Sequence, residues 1–304
     1  MPLDGQPPYP GPPRAGAFPA PNAAEGGTPN LRRATGSSVS RNELFAGLVV
    51  VGFANGISER VIASVTENGA TAALLSTFDI SVIVWGALAI AVAFLLRSPA
   101  QSISHLDRVV TTCALIAFLT PIAPLSWLAM SVLAIYILRT SVNPTFLHRG
   151  AWILLALTIP MFWGRLLFAM LSDLILQGDA ALVGWVLGTP RVGNAIQFAD
   201  GEGYLWIAPA CSSLANISLA ILCWVTLGKV LGRPSSLRDI VWVLVACAAV
   251  VAINVTRISL IGLYREHFEL IHGPVGSTVA SWIILAVTVG VCLIGMRREL
   301  PARI

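Results

Sequence analysis

What most limits how this chain folds is its series of long apolar runs with almost no charge inside them. Of 304 residues, 11% are charged and 56% are hydrophobic, whereas a soluble domain carries about 25% charged residues. In hydrocarbon, backbone polar groups must be satisfied inside their own segment or in a closed barrel. The runs are continuous and do not alternate, which argues against a barrel. The expected fold is therefore all-α, a polytopic transmembrane helical bundle of about eight helices.

The expected spans cover residues 44–65, 72–96, 109–120, 125–138, 151–176, 205–228, 240–263 and 277–296. Glu59 and Arg60 interrupt the far half of the first, and Asp79 lies near the start of the second. The third and fourth form a hairpin turning at Pro121 and Pro124. Pro160 and Arg165 fall inside the fifth, and a more polar stretch, 177–204, follows it. Residues 1–40 are rich in Pro, Gly, Ala and Ser without apolar periodicity. They read as a disordered cytoplasmic tail, without the apolar core of a signal peptide, ahead of a membrane domain over 41–304.

Charge sets the expected orientation. Arg14, Arg32, Arg33 and Arg41 precede the first span; Arg97 and Arg108, Arg139 and Arg149, then Lys229, Arg233 and Arg238 occupy alternate loops; Arg297, Arg298 and Arg303 end the chain. With eight spans these all fall on one side, the cytoplasm by the positive-inside rule, so both termini are inside. The net charge is +4 and Lys229 is the only lysine. No basic patch is interleaved with aromatics, so no nucleic-acid partner is expected, and membrane lipid is the expected surrounding. The five cysteines, at 113, 211, 223, 247 and 292, lie in apolar runs and do not form a disulfide framework.

Three polar groups need an explanation. Cys211 lies about six residues into the sixth span and Arg257 about six residues before the outer end of the seventh, so both sit roughly 9 Å below the outer rim. His272 lies in the next outer loop, before Gly273-Pro274, which suits a helix start. Together they offer acyl transfer by a thiol: a thiolate attacks, an imidazole takes its proton, and a guanidinium holds an oxyanion or a carboxylate. The plainer alternatives are packing for Cys211, as for the other four cysteines, and snorkelling to headgroups for Arg257. Ser212, Ser213 and Asn216 make the surroundings of Cys211 polar. An arginine in hydrocarbon costs at least about 2.5–3.5 kcal/mol, so Arg257 is expected to be functional or paired. His267 competes with His272, and Arg165 is expected to pair with Asp173 or Asp79. No phosphate loop, zinc-binding His-Glu-x-x-His or Gly-x-Ser-x-Gly elbow is present, and no metal or cofactor is expected.

The order of short motifs resembles the exosortase/archaeosortase family of polytopic membrane cysteine transpeptidases. The resemblance rests on Gly193-Asn194-Ala195-Ile196, Gly203-Tyr204-Leu205, Ala210-Cys211-Ser212, Asn254-Val255-Thr256-Arg257-Ile258 and His272, and covers roughly residues 150–290. It implies Cys211 as nucleophile, His272 as proton-transfer partner and Arg257 as substrate-orienting or oxyanion group. It also implies a multi-pass inner-membrane protein with its site on the extracytoplasmic side. The implied substrates are exported proteins with a C-terminal tail of short motif, transmembrane helix and basic cluster. Ser213 replaces the family's usual Gly after Cys-Ser, and Pro209 stands where an acidic or small residue is common. Two other classes stay open: a transporter lined by Arg165, Arg257 and Asp79, and a non-catalytic membrane assembly subunit in which Cys211 only packs.

Overall fold

The structure is a computed structural model that describes residues 39–143 and 145–297; the expected tail therefore lies outside the described residues, except for its last two. Helix α1, Arg41–Asn68, starts at Ser40, whose hydroxyl and backbone exchange hydrogen bonds with Glu43. Gly69, at φ 80°, ends it, and a short α2, Ala70–Leu75, follows. Thr77, Phe78 and Asp79 then all adopt left-handed backbone, at φ 55–56°. This turn splits the expected second span, because three such residues cannot continue a right-handed helix. Helix α3, Val82–Arg97, restarts from the Ser81 cap. Helices α4, His105–Leu119, and α5, Ala123–Thr140, flank the expected proline turn, with Pro124 in the first turn of α5.

The fifth apolar run is longer than expected. Helix α6, Phe146–Thr158, a π turn, Ile159–Trp163, and α7, Gly164–Leu187, form one 42-residue helix. Pro160 lacks an N–H and crowds the preceding turn, and the wider π turn accommodates it. Gly188, left-handed at φ 67°, ends the helix.

The chain then leaves the all-α plan. Strands β1, Arg191–Val192, β2, Ala195–Gln197, and β3, Tyr204–Trp206, form an antiparallel sheet in the order β1-β2-β3. The sixth helix, α8, Leu214–Val230, therefore begins nine residues later than expected, because Leu205 and Trp206 pair in the sheet and Pro209 opens a 3-10 turn. Helix α9, Leu237–Leu263, short α10, Phe268–His272, and α11, Pro274–Met296, complete the fold.

Among the described residues, five helical segments are long and apolar enough to cross a membrane: Arg41–Asn68, Ala123–Thr140, Phe146–Leu187, Leu237–Leu263 and Val275–Met296. Val82–Arg97 and Leu214–Val230 are apolar but shorter. The fold is thus that of a helical, multi-pass membrane protein. One core joins α1, α3, α4, α5 and α6 around Phe45, Phe53, Phe118, Trp127 and Leu154. A second joins α7, α9 and the sheet around Leu176, Val183, Ile196, Ile207 and Ile258.

The 42-residue helix is bent. Arg149, near its start, donates to the carbonyls of Lys229 and Val230 at the end of α8. Asp179, near its other end, bonds Ser213 at the start of α8. A straight helix would carry Arg149 and Asp179 about 45 Å apart, but α8 covers only about 26 Å. The long Arg149 side chain covers part of the difference, and a bend at the π turn and the non-helical Leu171 (φ −126°, ψ 21°) takes up the rest.

A buried polar lock ties the start of the bundle together. Arg41 donates to Asp107 at 2.8 Å, and the Tyr136 hydroxyl reaches the same oxygen at 2.8 Å. Asp107 precedes the apolar run of α4. Burial pushes its carboxyl up, but bonds from Arg41, Ser104 and Tyr136 together hold it at about 2. A carboxyl depressed on folding stabilises the fold above its unfolded pKa, about 3.9, and that contribution disappears as pH falls through the folded value. Asp107→Asn is expected to lower stability by about 3 kcal/mol near neutral pH, because Arg41 stays buried without its partner. The difference from wild type should shrink as melting in detergent is measured from about pH 6 down to about pH 2. Equal melting of the two proteins near neutral pH would show that the lock contributes nothing.

Candidate active site

The sheet delivers the thiol. Gly193, at φ 61°, turns β1 into β2. The Asn194 side chain donates to the Ile207 carbonyl at 3.0 Å, and the Ile207 N–H returns a 3.0 Å bond to the Asn194 carbonyl. This fixes the point where the chain leaves the sheet. Pro209–Cys211 forms one 3-10 turn, closed by the Cys211 N–H donating to the Ala208 carbonyl at 2.8 Å. Cys211 is half-buried and packs on the core that contains Ile196 and Ile207. It thus precedes the N-terminus of α8 and does not lie six residues inside a helix, so the helical depth estimate does not apply to it. The positive end of a helix favours a thiolate placed near it.

Ser213 locks this turn. Its N–H donates to Asp179 at 3.1 Å and its hydroxyl donates to the same carboxylate at 2.7 Å. The Asn254 amide donates to the Ser213 hydroxyl at 3.0 Å and to the Cys211 carbonyl at 2.7 Å. Asp179 and Asn254 are 5% and 4% exposed, so these bonds replace lost water. Ser213 has φ −67° and ψ −20°, a conformation open to any residue, so the backbone here does not demand glycine.

His272 ends α10. Its Nε2 lies 3.8 Å from the Cys211 Sγ, across 61 residues of sequence. Its ring stacks on Phe268 at 4.9 Å and 13°. Arg257 holds the backbone behind it: Nε donates to the Ile271 carbonyl at 3.3 Å and Nη2 to the His272 carbonyl at 3.2 Å. A Cβ at Gly276 would lie 2.2 Å from the Ile271 carbonyl oxygen, so only glycine lets α11 start this close to the histidine turn. His267 is elsewhere engaged, with Glu266 at 3.3 Å and the Tyr264 ring.

Arg257 is half-buried and one helical turn from Asn254 on α9. Two of the five guanidinium N–H groups hold the histidine turn, so the rest have no partner among the described residues. Arg257 also borders an apolar hollow of about 560 Å³ between α9, α10 and α11, with Leu270, Val275 and Ile283 in its wall. The structure therefore brings Cys211, His272 and Arg257 together, with Arg257 reaching the pair through the backbone of His272.

Arg165 does not pair as expected. It is exposed and, among the described residues, forms no ion pair, while Asp79 accepts a 2.9 Å bond from Ser64. The π turn before Arg165 adds a residue to the helix and rotates the face on which it emerges. Asp173 and Asp79 are the carboxylates expected to pair with Arg165, yet the carboxylate that holds the Cys211 turn is Asp179, which no expectation singles out. The available signal was a carboxylate continuing an apolar run into a polar stretch, where a buried acid needs hydrogen-bond donors. Asn254 was visible as part of a motif but had no role there.

A thiol beside an imidazole, at a helix start, with a guanidinium behind the imidazole, is the equipment of covalent acyl transfer. Comparison with protein-family models, with curated proteins and with solved structures returned no match.

Proposed function

We propose that this chain is a membrane cysteine peptidase of the transpeptidase type, resembling the exosortase/archaeosortase family, that cleaves C-terminal sorting signals from exported proteins. The observation that carries this reading is the 3.8 Å approach of Cys211 Sγ and His272 Nε2 from two separate segments. In this reading the chain crosses the inner membrane eight times, with both termini in the cytoplasm and Cys211 at the outer face. The one-sided Arg and Lys distribution supports that orientation.

The chemistry follows from the pair. His272 Nε2 takes the thiol proton as the sulfur attacks the carbonyl carbon of the scissile peptide. The tetrahedral oxyanion needs hydrogen-bond donors, and the Arg257 N–H groups not spent on the histidine turn are one candidate. His272 returns the proton to the departing amine nitrogen, the C–N bond breaks and a thioester to Cys211 remains. An amine acceptor or water then attacks the thioester and restores the thiol. The expected substrates carry a short motif, a transmembrane helix and a basic cluster that stays in the cytoplasm. Arg257 is committed to the histidine turn, which favours this reading over a transport pathway.

The direct test pairs wild type with Cys211→Ala in cells making an exported protein with such a tail. Processing, followed by size on a blot, should stop completely in the variant. Unchanged processing would remove the proposed nucleophile and the reading with it.

A further inference from the structure

Two cysteines that the sequence offers only as packing meet inside the bundle. The Cys292 thiol of α11 donates to the Cys223 sulfur of α8 at 4.0 Å, across 69 residues of sequence. Cys223 is 5% exposed and Cys292 0%. Met296 is also buried and lies one helical turn past Cys292, on the same face of α11. A Cβ on Gly228 of α8 would lie 3.7 Å from the Met296 methyl, so this side chain turns toward α8 as Cys292 does. The three sulfur side chains and Trp224 form one buried cluster. Trp224 and Met296 also stand in the wall of a second hollow, of about 580 Å³, which gives an ion a route to the sulfurs.

Spacing and ligand type narrow what the cluster can hold. With metal–sulfur bonds of about 2.3 Å, sulfurs 4.0 Å apart subtend about 120° at an ion, the angle of a planar three-coordinate site. Among the described residues no three His, Cys, Asp or Glu side chains gather as a metal site, so the four ligands that zinc takes are absent here. Thiolate and thioether are soft ligands and select Cu(I). We propose that Cys223 and Cys292 bind one Cu(I) ion as thiolates, with the flexible Met296 supplying its thioether as the third ligand. Both thiol protons leave to solvent, and the filled site carries one negative charge shared over metal and sulfurs. Closing the pair into a disulfide instead would bring the sulfurs about 2 Å nearer and displace side chains in a packed cluster. An ion at this point fastens α8 to α11, which start beside Cys211 and just after His272. The inference does not depend on the role of Cys211.

The test uses the full chain, purified in detergent without oxygen and titrated with Cu(I) against a competing chelator, bathocuproine disulfonate. Wild type should take up one tightly held Cu(I), with ultraviolet absorption from sulfur-to-copper charge transfer. Cys223→Ala and Cys292→Ala should each lose the tight site. Met296→Leu should weaken it at least about tenfold, the effect of losing even an outer partner of a metal ligand. Cys211→Ala should bind as wild type does. X-ray absorption of the copper-loaded wild type, which needs no variant to fold, should show a shell of sulfur alone at about 2.3 Å. Absence of tight binding by wild type, nitrogen or oxygen in the shell, or full affinity in any of the Cys223, Cys292 and Met296 variants would overturn the proposal. Loss of the copper in Cys211→Ala would also overturn it and would place the ion at the candidate active site. A mass two units lower after copper treatment, with no copper retained, would show a disulfide pair instead.

Discussion

His272→Ala is expected to slow substrate processing by about 10²-fold or more, the usual contribution of a positioned general acid–base. Cys211 remains in place in this variant, on the core formed with Ile196 and Ile207. It should still be alkylated by a small haloacetamide, but more slowly than in wild type. Arg257→Lys should produce part of the same defect, although it touches neither the sulfur nor the imidazole. A guanidinium spans the Ile271 and His272 carbonyls with two directed donors, whereas an ammonium is a point charge on a flexible stem. A slowed alkylation of Cys211 in Arg257→Lys would identify a positioning role, since a group acting only on the substrate leaves the free thiol unchanged. Wild-type processing by His272→Ala would show that the 3.8 Å approach is packing and not chemistry.

Asp179→Ala carries the second large effect. The carboxylate accepts both the N–H and the hydroxyl of Ser213, at 3.1 and 2.7 Å, in a place closed to water. Bonds to a charged acceptor contribute about 1.5–3 kcal/mol each, and buried donors left without a partner cost their full desolvation. The variant should therefore lose about 3 kcal/mol or more of stability, read as a fall in melting temperature in detergent. Processing should fall with it, because the Cys211 turn is then tied only by Asn254 and by its own backbone. Asp179→Asn, which keeps one acceptor oxygen, should lie between the two. Unaltered melting and processing in Asp179→Ala would mean that the latch does not hold the turn.

Which parts of this were legible in the sequence follows from what hydropathy measures. The starts of α1, α5 and α9, and the proline turn before α5, lie within a few residues of the expected positions, because caps and Pro placement mark them locally. Cys211, Arg257 and His272 were legible as a set because their motifs lie in order along the chain. The extension of α7 to Leu187 and the small sheet were not, since a polar stretch breaks the hydropathy of the helix end and strands of two or three residues are too short for a periodic signature. The turn at Thr77–Asp79 was hidden for the opposite reason: apolar residues on both sides masked a left-handed break. Asp179 escaped because its role comes from Ser213, 34 residues away, and a contact of that range leaves no mark in local composition.

The brevity of α8 has a mechanical consequence. Its 17 residues reach about 26 Å, a few ångströms less than the roughly 30 Å of an average bilayer interior. Lipids next to a short span compress to match it, at a cost of fractions of a kcal/mol per ångström. Under the proposed eight-span topology, the bilayer beside Leu214 would be dimpled and its boundary with water would dip toward the sulfur. In the proposed reaction, a peptide bond adjoining a substrate's anchor would then reach the thiol after a shorter climb out of the hydrocarbon. The solvent that releases an acylated Cys211 in that reaction would arrive through the same depression.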